Sequence, residues 1–303
     1  MTKAILVTGA TGKQGGALIN ALLEHDAPFE ILAVTRDPRS GSAQRLAKKS
    51  SKVKLVEGNM DDPAAIFTRA RQLTSSEIWG VYSVQVVIGN GVGAEERQGK
   101  ALIDESLKQG VKYFVYSSVD RGGDDKSASN PTDIPHFISK HRIEQHLFDS
   151  TKNGEMDWTV LRPVAFMDGL TPNFMGKMFA TAWRVALKGK PLQIIATRDI
   201  GVFAAEAFQH PDQFAGRSIS LAGDNLTFDQ LNDIFKAKTG RDVPTTFELA
   251  CRALLSVMGD IGAMFRWFHD EGYGADITAL RKQHPGLKDF ATWLETESAF
   301  VAR

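Results

Sequence analysis

Cysteine is nearly absent: Cys251 stands alone among 303 residues. No disulfide can form within the chain, which points to a reducing compartment. Its neighbours, Leu249-Ala250-Cys251-Arg252-Ala253-Leu254-Leu255, read as a largely apolar helix, so a packed, inert thiol is the simpler expectation than a redox one. An excess of charge is missing too. Lys+Arg and Asp+Glu both number 36, so no global field draws the chain to nucleic acid or to an anionic membrane. Direct nucleic-acid binding is not expected. No apolar run approaches the roughly 18 residues that span a bilayer, so no membrane role is expected either. The first residues themselves read as a strand, which leaves no room for a signal peptide. The expected location is the cytoplasm, with the nucleus open. There is no internal repeat, no low-complexity tract, no metal-ligand spacing and no Gly-x-Ser-x-Gly elbow. No metal is expected.

What is present begins at the N-terminus, MTKAILVTGATGKQGG. The apolar run Ala4-Ile5-Leu6-Val7 stops at Thr8. Gly9, Gly12 and Gly15 follow at a spacing of three, and then a helical pattern, Ala17-Leu18-Ile19 and Ala21-Leu22-Leu23. Strand, glycine turn and helix in that order form a pyrophosphate cradle, because the backbone must turn sharply and aim free N–H groups at the phosphates. The cradle comprises Gly9, Thr11, Gly12, Lys13, Gln14 and Gly15.

The first half alternates strands and helices. Strands are predicted over residues 4–8, 30–35, 52–57, 78–87, 113–117 and 159–162, and helices over 12–24, 43–49, 63–73, 95–109 and 135–150. Regular alternation of apolar strands with helices implies a parallel sheet covered on both faces. The expected fold is α/β, a Rossmann-type doubly wound parallel sheet with a smaller, mainly helical C-terminal domain. The first domain covers residues 1–165, with 199–223 returning to it, and the second covers 166–303 and would lie over the nicotinamide end. Residues 120–134, polar and rich in Gly, Asp and Ser, read as either a surface loop or a lid ordered by ligand. The bulky residues Phe174, Met175, Met178, Phe179, Trp183, Met264, Phe265, Trp267 and Phe268 read as core or as the lining of a substrate cleft.

The second strand ends Val34-Thr35-Arg36-Asp37-Pro38-Arg39. An acid at this strand end suits the ribose hydroxyls of NAD, whereas the planar fork of an arginine suits a 2′-phosphate. Arg36 therefore points to NADP(H), with Arg39 and Lys13 adding positive charge; an aspartate one place earlier would reverse the preference. After the third strand, Asn59 and Asp61 can bond the adenine amino group, and Asp61 or Asp62 can cap the helix that starts near Pro63.

The fifth strand runs into Tyr116-Ser117-Ser118, and a later helix carries His136-Phe137-Ile138-Ser139-Lys140. With VTGATGKQGG, VTRDPR, RQGKALIDESLKQGVKYFVYSS, HFISKHRIEQHL, LRPVAFMD and AMFRWF, the chain resembles the NmrA-like family of atypical short-chain dehydrogenases/reductases, and within it the NADPH-sensing branch. Short-chain dehydrogenases carry Tyr-x-x-x-Lys with a serine at the end of the preceding strand. By that resemblance Lys140 keeps the lysine position and contacts the nicotinamide ribose, Ser118 is the serine, and His136 stands where the catalytic tyrosine would be. The imidazole can still donate one N–H. The resemblance also lays the turn bearing Pro163 and Phe166 against the nicotinamide carboxamide.

Two functions follow from the resemblance. The first is an NADP(H) sensor or regulator that acts through a protein partner, a transcription factor or an enzyme; the missing phenol favours it. The second is an NADPH-dependent reductase of a small aromatic or carbonyl metabolite that uses Lys140, with His136 and Ser118; the intact lysine and an apolar cleft favour it. A homodimer is compatible with both.

Overall fold

The computed structural model describes residues 2–85, 93–257 and 259–301. The chain runs through β1 (Lys3–Val7), α1 (Lys13–Glu24), β2 (Phe29–Thr35), α2 (Gly41–Ala47), β3 (Val53–Glu57), α3 (Pro63–Leu73), β4 (Glu77–Ser83), α4 (Ala94–Lys108) and β5 (Tyr113–Ser117). It continues with α5 (Asp124–Ser129), α6 (Pro135–Thr151), β6 (Asp157–Pro163), β7 (Ala165–Phe166), α7 (Phe174–Leu187), β8 (Leu192–Ile195), α8 (Thr197–Gln209), α9 (Pro211–Phe214), β9 (Arg217–Leu221) and β10 (Asp224–Leu226). It closes with α10 (Phe228–Thr239), α11 (Glu248–Val257), α12 (Gly259–Asp270), α13 (Ile277–Gln283) and α14 (Phe290–Thr296).

Seven strands form one sheet in the order β3-β2-β1-β4-β5-β6-β9. Every pairing from β3 to β6 is parallel. The order reverses at β1, which lies between β2 and β4; in open α/β sheets the ligand crevice opens at such a reversal. The apolar residues of β1, Ala4 to Val7, are all buried, as expected of a strand covered on both faces. This is the Rossmann-type sheet expected from the sequence.

Two compact units divide the chain. The first contains Met1–Ser118, Ser139–Leu161 and Ile200–Ile219; the second contains Val119–Ile138, Arg162–Asp199 and Ser220–Arg303. In the first, Gly201 lets the returning α8 approach α1, since a Cβ there would sit 2.3 Å from the Ala17 carbonyl carbon. The division differs from the expected boundary at residue 165, chiefly because 119–138 groups with the second unit. Val119, Ile134 and Phe137 pack in that unit's core, with the Phe137 ring 5.5 Å from Trp267.

Residues 120–134 are neither an open loop nor structureless. They contain α5, and Asp120 and Arg121 are both fully buried. The Asp120 carboxylate accepts from the N–H groups of Gly122, Gly123 and Gly274 at 2.9, 2.9 and 3.0 Å. Arg121 donates to the carbonyls of Val119, Asn130 and Ser127 at 2.9, 2.9 and 2.6 Å. The polarity of Asp120 and Arg121 is satisfied internally, whereas Asp124, Asp125, Lys126 and Asp133 are exposed.

The second unit is not purely helical. It holds a three-stranded sheet, β10-β8-β7, whose strands are too short to reveal a period in the sequence. Trp183, Phe265, Trp267 and Phe268 belong to the core, with Met178, Phe179 and Met264 packed against it, whereas Phe174 and Met175 are 63% and 70% exposed. In the first unit β4 stops at Ser83, short of the expected end at 87, a position outside the described residues.

Candidate functional site

The turn from β1 into α1 is shaped by its glycines. Gly9 has φ +58°, in the left-handed region, and its carbonyl accepts from the Gly12 N–H at 2.8 Å. A Cβ on Gly15 would lie 2.4 Å from the Gly9 carbonyl oxygen, so helix and turn pack backbone to backbone. Gly12 is the N-cap of α1, no side chain caps it, and the first turn carries no acid. The positive end of the helix dipole is therefore offset by no capping side chain and no first-turn acid. Thr11, Gly12 and Lys13 are exposed there. A dinucleotide pyrophosphate fits this surface.

The side chain of Gln14 is turned toward the sheet. Its Oε1 accepts from the Ser117 hydroxyl at 2.5 Å and from the Tyr82 hydroxyl at 3.4 Å. Burial pushes the Tyr82 phenol well above its ordinary range, which keeps it a donor. Gln14 thus anchors the turn to the ends of β4 and β5. Thr8, which sequence reasoning passed over, does the same: its hydroxyl donates to the Tyr82 carbonyl at 3.1 Å and accepts from the Val84 N–H at 2.9 Å.

Arg36, just beyond β2, is exposed, and among the described residues nothing engages its guanidinium. The Asp37 carboxylate accepts from the Arg39 N–H at 2.9 Å, and the Arg39 side chain is 95% exposed. The acid is thereby turned onto its own loop, where it also pairs with Arg39 Nε at 3.7 Å, leaving Arg36 as the cation at the strand end that no described acid offsets. Beyond β3, Asn59 Oδ1 accepts from the Asp61 N–H at 3.2 Å, and Asp61 accepts from Gln98 of α4 at 2.9 Å. The cap of α3 is Asp62, which accepts from the Ala65 N–H at 3.0 Å. Because the strands are parallel, the turn after β1, Arg36, Asn59, Asp61 and Ser117-Ser118 all stand at the carboxyl edge of the sheet.

Lys140, in α6, is buried, and its ammonium lies 2.8 Å from Oε1 of the buried Glu95 in α4. The approach makes a charge contact rather than an aligned hydrogen bond. The ammonium also stands 5.9 Å from the centroid of the Tyr116 ring. Ser118 donates to Glu144, a fully buried residue one turn after Lys140. Neither carboxylate was anticipated from the sequence. The available signal was an acid on a buried helix face: Glu95, Gln98, Gly99 and Leu102 line one side of α4, and Lys140, Ile143, Glu144 and Leu147 one side of α6.

In the second unit His136 is half-buried, its ring edge-on to Phe137 at 4.8 Å. Pro163 is buried at the end of β6, its carbonyl accepting from the Asp120 N–H at 3.2 Å, and Phe166 is half-buried in β7. This unit has a cleft of about 470 Å³, lined by Val185, Lys188, Leu255, Phe265, Arg266 and His269 among others. Cys251 is buried, and burial pushes its thiol pKa up, away from thiolate chemistry. Among the described residues no cluster of His, Cys, Asp and Glu could hold a metal, and no helix is long and apolar enough to cross a membrane.

The model of the NmrA-like family matches residues 1–294. This chain belongs to the NmrA-like family. The NmrA-like family domain-containing oxidoreductase malD of Malbranchea aurantiaca is 24% identical over 319 aligned positions, which cover 93% of this chain and 90% of that protein. The NADPH-dependent quinone oxidoreductase QOR2 of Escherichia coli, solved with NADPH, aligns with a TM-score of 0.70 at 22% identity, over 95% of this chain and 97% of its own. NmrA, a negative transcriptional regulator solved with NAD, aligns with a TM-score of 0.70 at 16% identity, over 99% and 96%. At these identities the two structures establish a shared fold.

Proposed function

We propose that the protein binds NADP(H) and uses it as a reductase of a small conjugated or carbonyl acceptor, such as a quinone. The observation that carries the reading is the buried Lys140, held by Glu95 and 5.9 Å from the ring of Tyr116 near the carboxyl end of β5, the sheet edge that also carries a glycine turn a pyrophosphate fits. The oxidoreductase naming of malD supports it. The turn from Gly9 to Gly15 holds the pyrophosphate, Arg36 with Arg39 meets the 2′-phosphate, Asn59 and Asp61 face the adenine, and Lys140 donates to the nicotinamide ribose. The carboxamide contact of Pro163 and Phe166 belongs to the same reading. Bound NADPH supplies a hydride.

The proton is the point at which this chain departs from tyrosine-dependent reductases. His136 replaces the phenol, and the Ser118 hydroxyl is donated to Glu144. A quinone accepting hydride forms a stabilised anion that takes its proton from water, so it has no need of the missing phenol. A simple ketone forms an alkoxide and needs a positioned donor. The acceptor preference is therefore for conjugated acceptors over simple ketones.

A second reading, a cofactor-dependent regulator with a protein partner, is favoured by one observation: both Ser118 and Lys140 are engaged by carboxylates. Steady-state NADPH oxidation against quinones, aldehydes and ketones separates the two. The reductase reading expects quinone turnover that collapses in Lys140→Ala and changes less than about tenfold in His136→Ala, because solvent protonation leaves little for the imidazole to contribute. NADPH binding without turnover of any acceptor, coupled to a change in association state, would instead establish the regulator.

A further inference from the structure

We propose that Glu95 is a positioning residue for Lys140: it holds the ammonium by its charge from within the protein so that its protons are available to the cofactor ribose. The inference rests on the reading that Lys140 meets the cofactor. Three observations carry it. The side chains are only 11% and 7% exposed, and Nζ lies 2.8 Å from Oε1, so the pair is largely shielded from bulk water. The contact is a charge pairing without an aligned hydrogen bond, and an ammonium has three protons to donate. Beyond Glu95 and the Tyr116 ring, nothing among the described residues engages Lys140.

The pair is not needed to join its helices. Gly99 of α4 already receives Ile143 of α6 so closely that a Cβ would lie 2.5 Å from Ile143 Cδ1. Helices packed this way gain little from a buried ion pair, whose desolvation offsets much of its attraction. A retained pair at such a place is better explained by what the lysine does. The neighbouring Glu144 holds Ser118, so two polar groups beside the carboxyl edge are each held by a buried carboxylate.

The test is a double-mutant cycle on the full chain, read as NADPH affinity by calorimetry, with thermal unfolding recorded for every variant. Glu95→Gln keeps the shape and removes the charge; it should weaken NADPH by about tenfold, the scale of one charge-assisted contact. Lys140→Met should weaken it at least as much. The double variant should bind no worse than Lys140→Met alone, because Glu95 acts only through the lysine. Glu95→Asp keeps the charge, should recover most of the affinity, and serves if Glu95→Gln fails to fold. A purely structural role would lower the melting temperature without this non-additivity. Losses that multiply in the double variant, or a Lys140→Met protein that binds NADPH like wild type, overturn the proposal. Intact coupling in a protein that binds NADPH but reduces no acceptor supports Glu95's role and sinks only the reductase reading.

Discussion

The β1–α1 turn and the β5–α6 region prepare one edge of the sheet by opposite means. The turn is made of backbone: Gly9 adopts φ +58°, and Gly15 leaves no space for a methyl group. The β5–α6 region is made of side chains held by other side chains, Ser117 by Gln14, Ser118 by Glu144 and Lys140 by Glu95. Geometry governs the first, and almost any added atom disrupts it. Charge in a low-dielectric setting governs the second, so one substitution can retune it while the fold persists. The glycine turn is thus sterically locked, whereas the side chains beside it are adjustable.

The largest effect should come from the turn. Gly15→Ala places a methyl group against the Gly9 carbonyl, a backbone clash that no rotamer relieves. It should destabilise the protein by about 2–3 kcal/mol and abolish measurable NADPH binding; urea denaturation and calorimetry read the two effects. A variant that binds NADPH normally would show that the turn is not locked. Ser118→Ala is the smaller change. It takes one donor from the buried Glu144 and should cost about 1–2 kcal/mol of stability, while NADPH affinity stays within about threefold because no phosphate contact is lost. A loss of affinity comparable to that of Gly15→Ala would erase the distinction between the regions.

The same contrast explains what could be read from the residues alone. A glycine turn is a local backbone requirement, and spacing reveals it. The strands from β1 to β6 were legible because they are continuous apolar runs between amphipathic helices. Glu95 and Glu144 were not, since each pairs with a residue on another element that only the folded chain brings near. Asp120 and Arg121 misled by their polarity, because the backbone groups that satisfy them lie inside the second unit. Strands of two to four residues, such as β7, β8 and β10, carry too little pattern to stand out among helices. Lys140 was visible through the family resemblance, and the carboxylate behind it was not.

On the proposed function this edge of the sheet takes NADP(H), with Arg36 meeting the 2′-phosphate. Calorimetric titration of wild type and Arg36→Ala with NADPH and with NADH tests it most directly. One charge-assisted phosphate contact is worth about 1.5–3 kcal/mol, so Arg36→Ala should weaken NADPH by roughly ten- to a hundredfold and leave NADH nearly unchanged. Wild type that binds the two cofactors equally, or a variant that loses both to the same extent, would contradict the account.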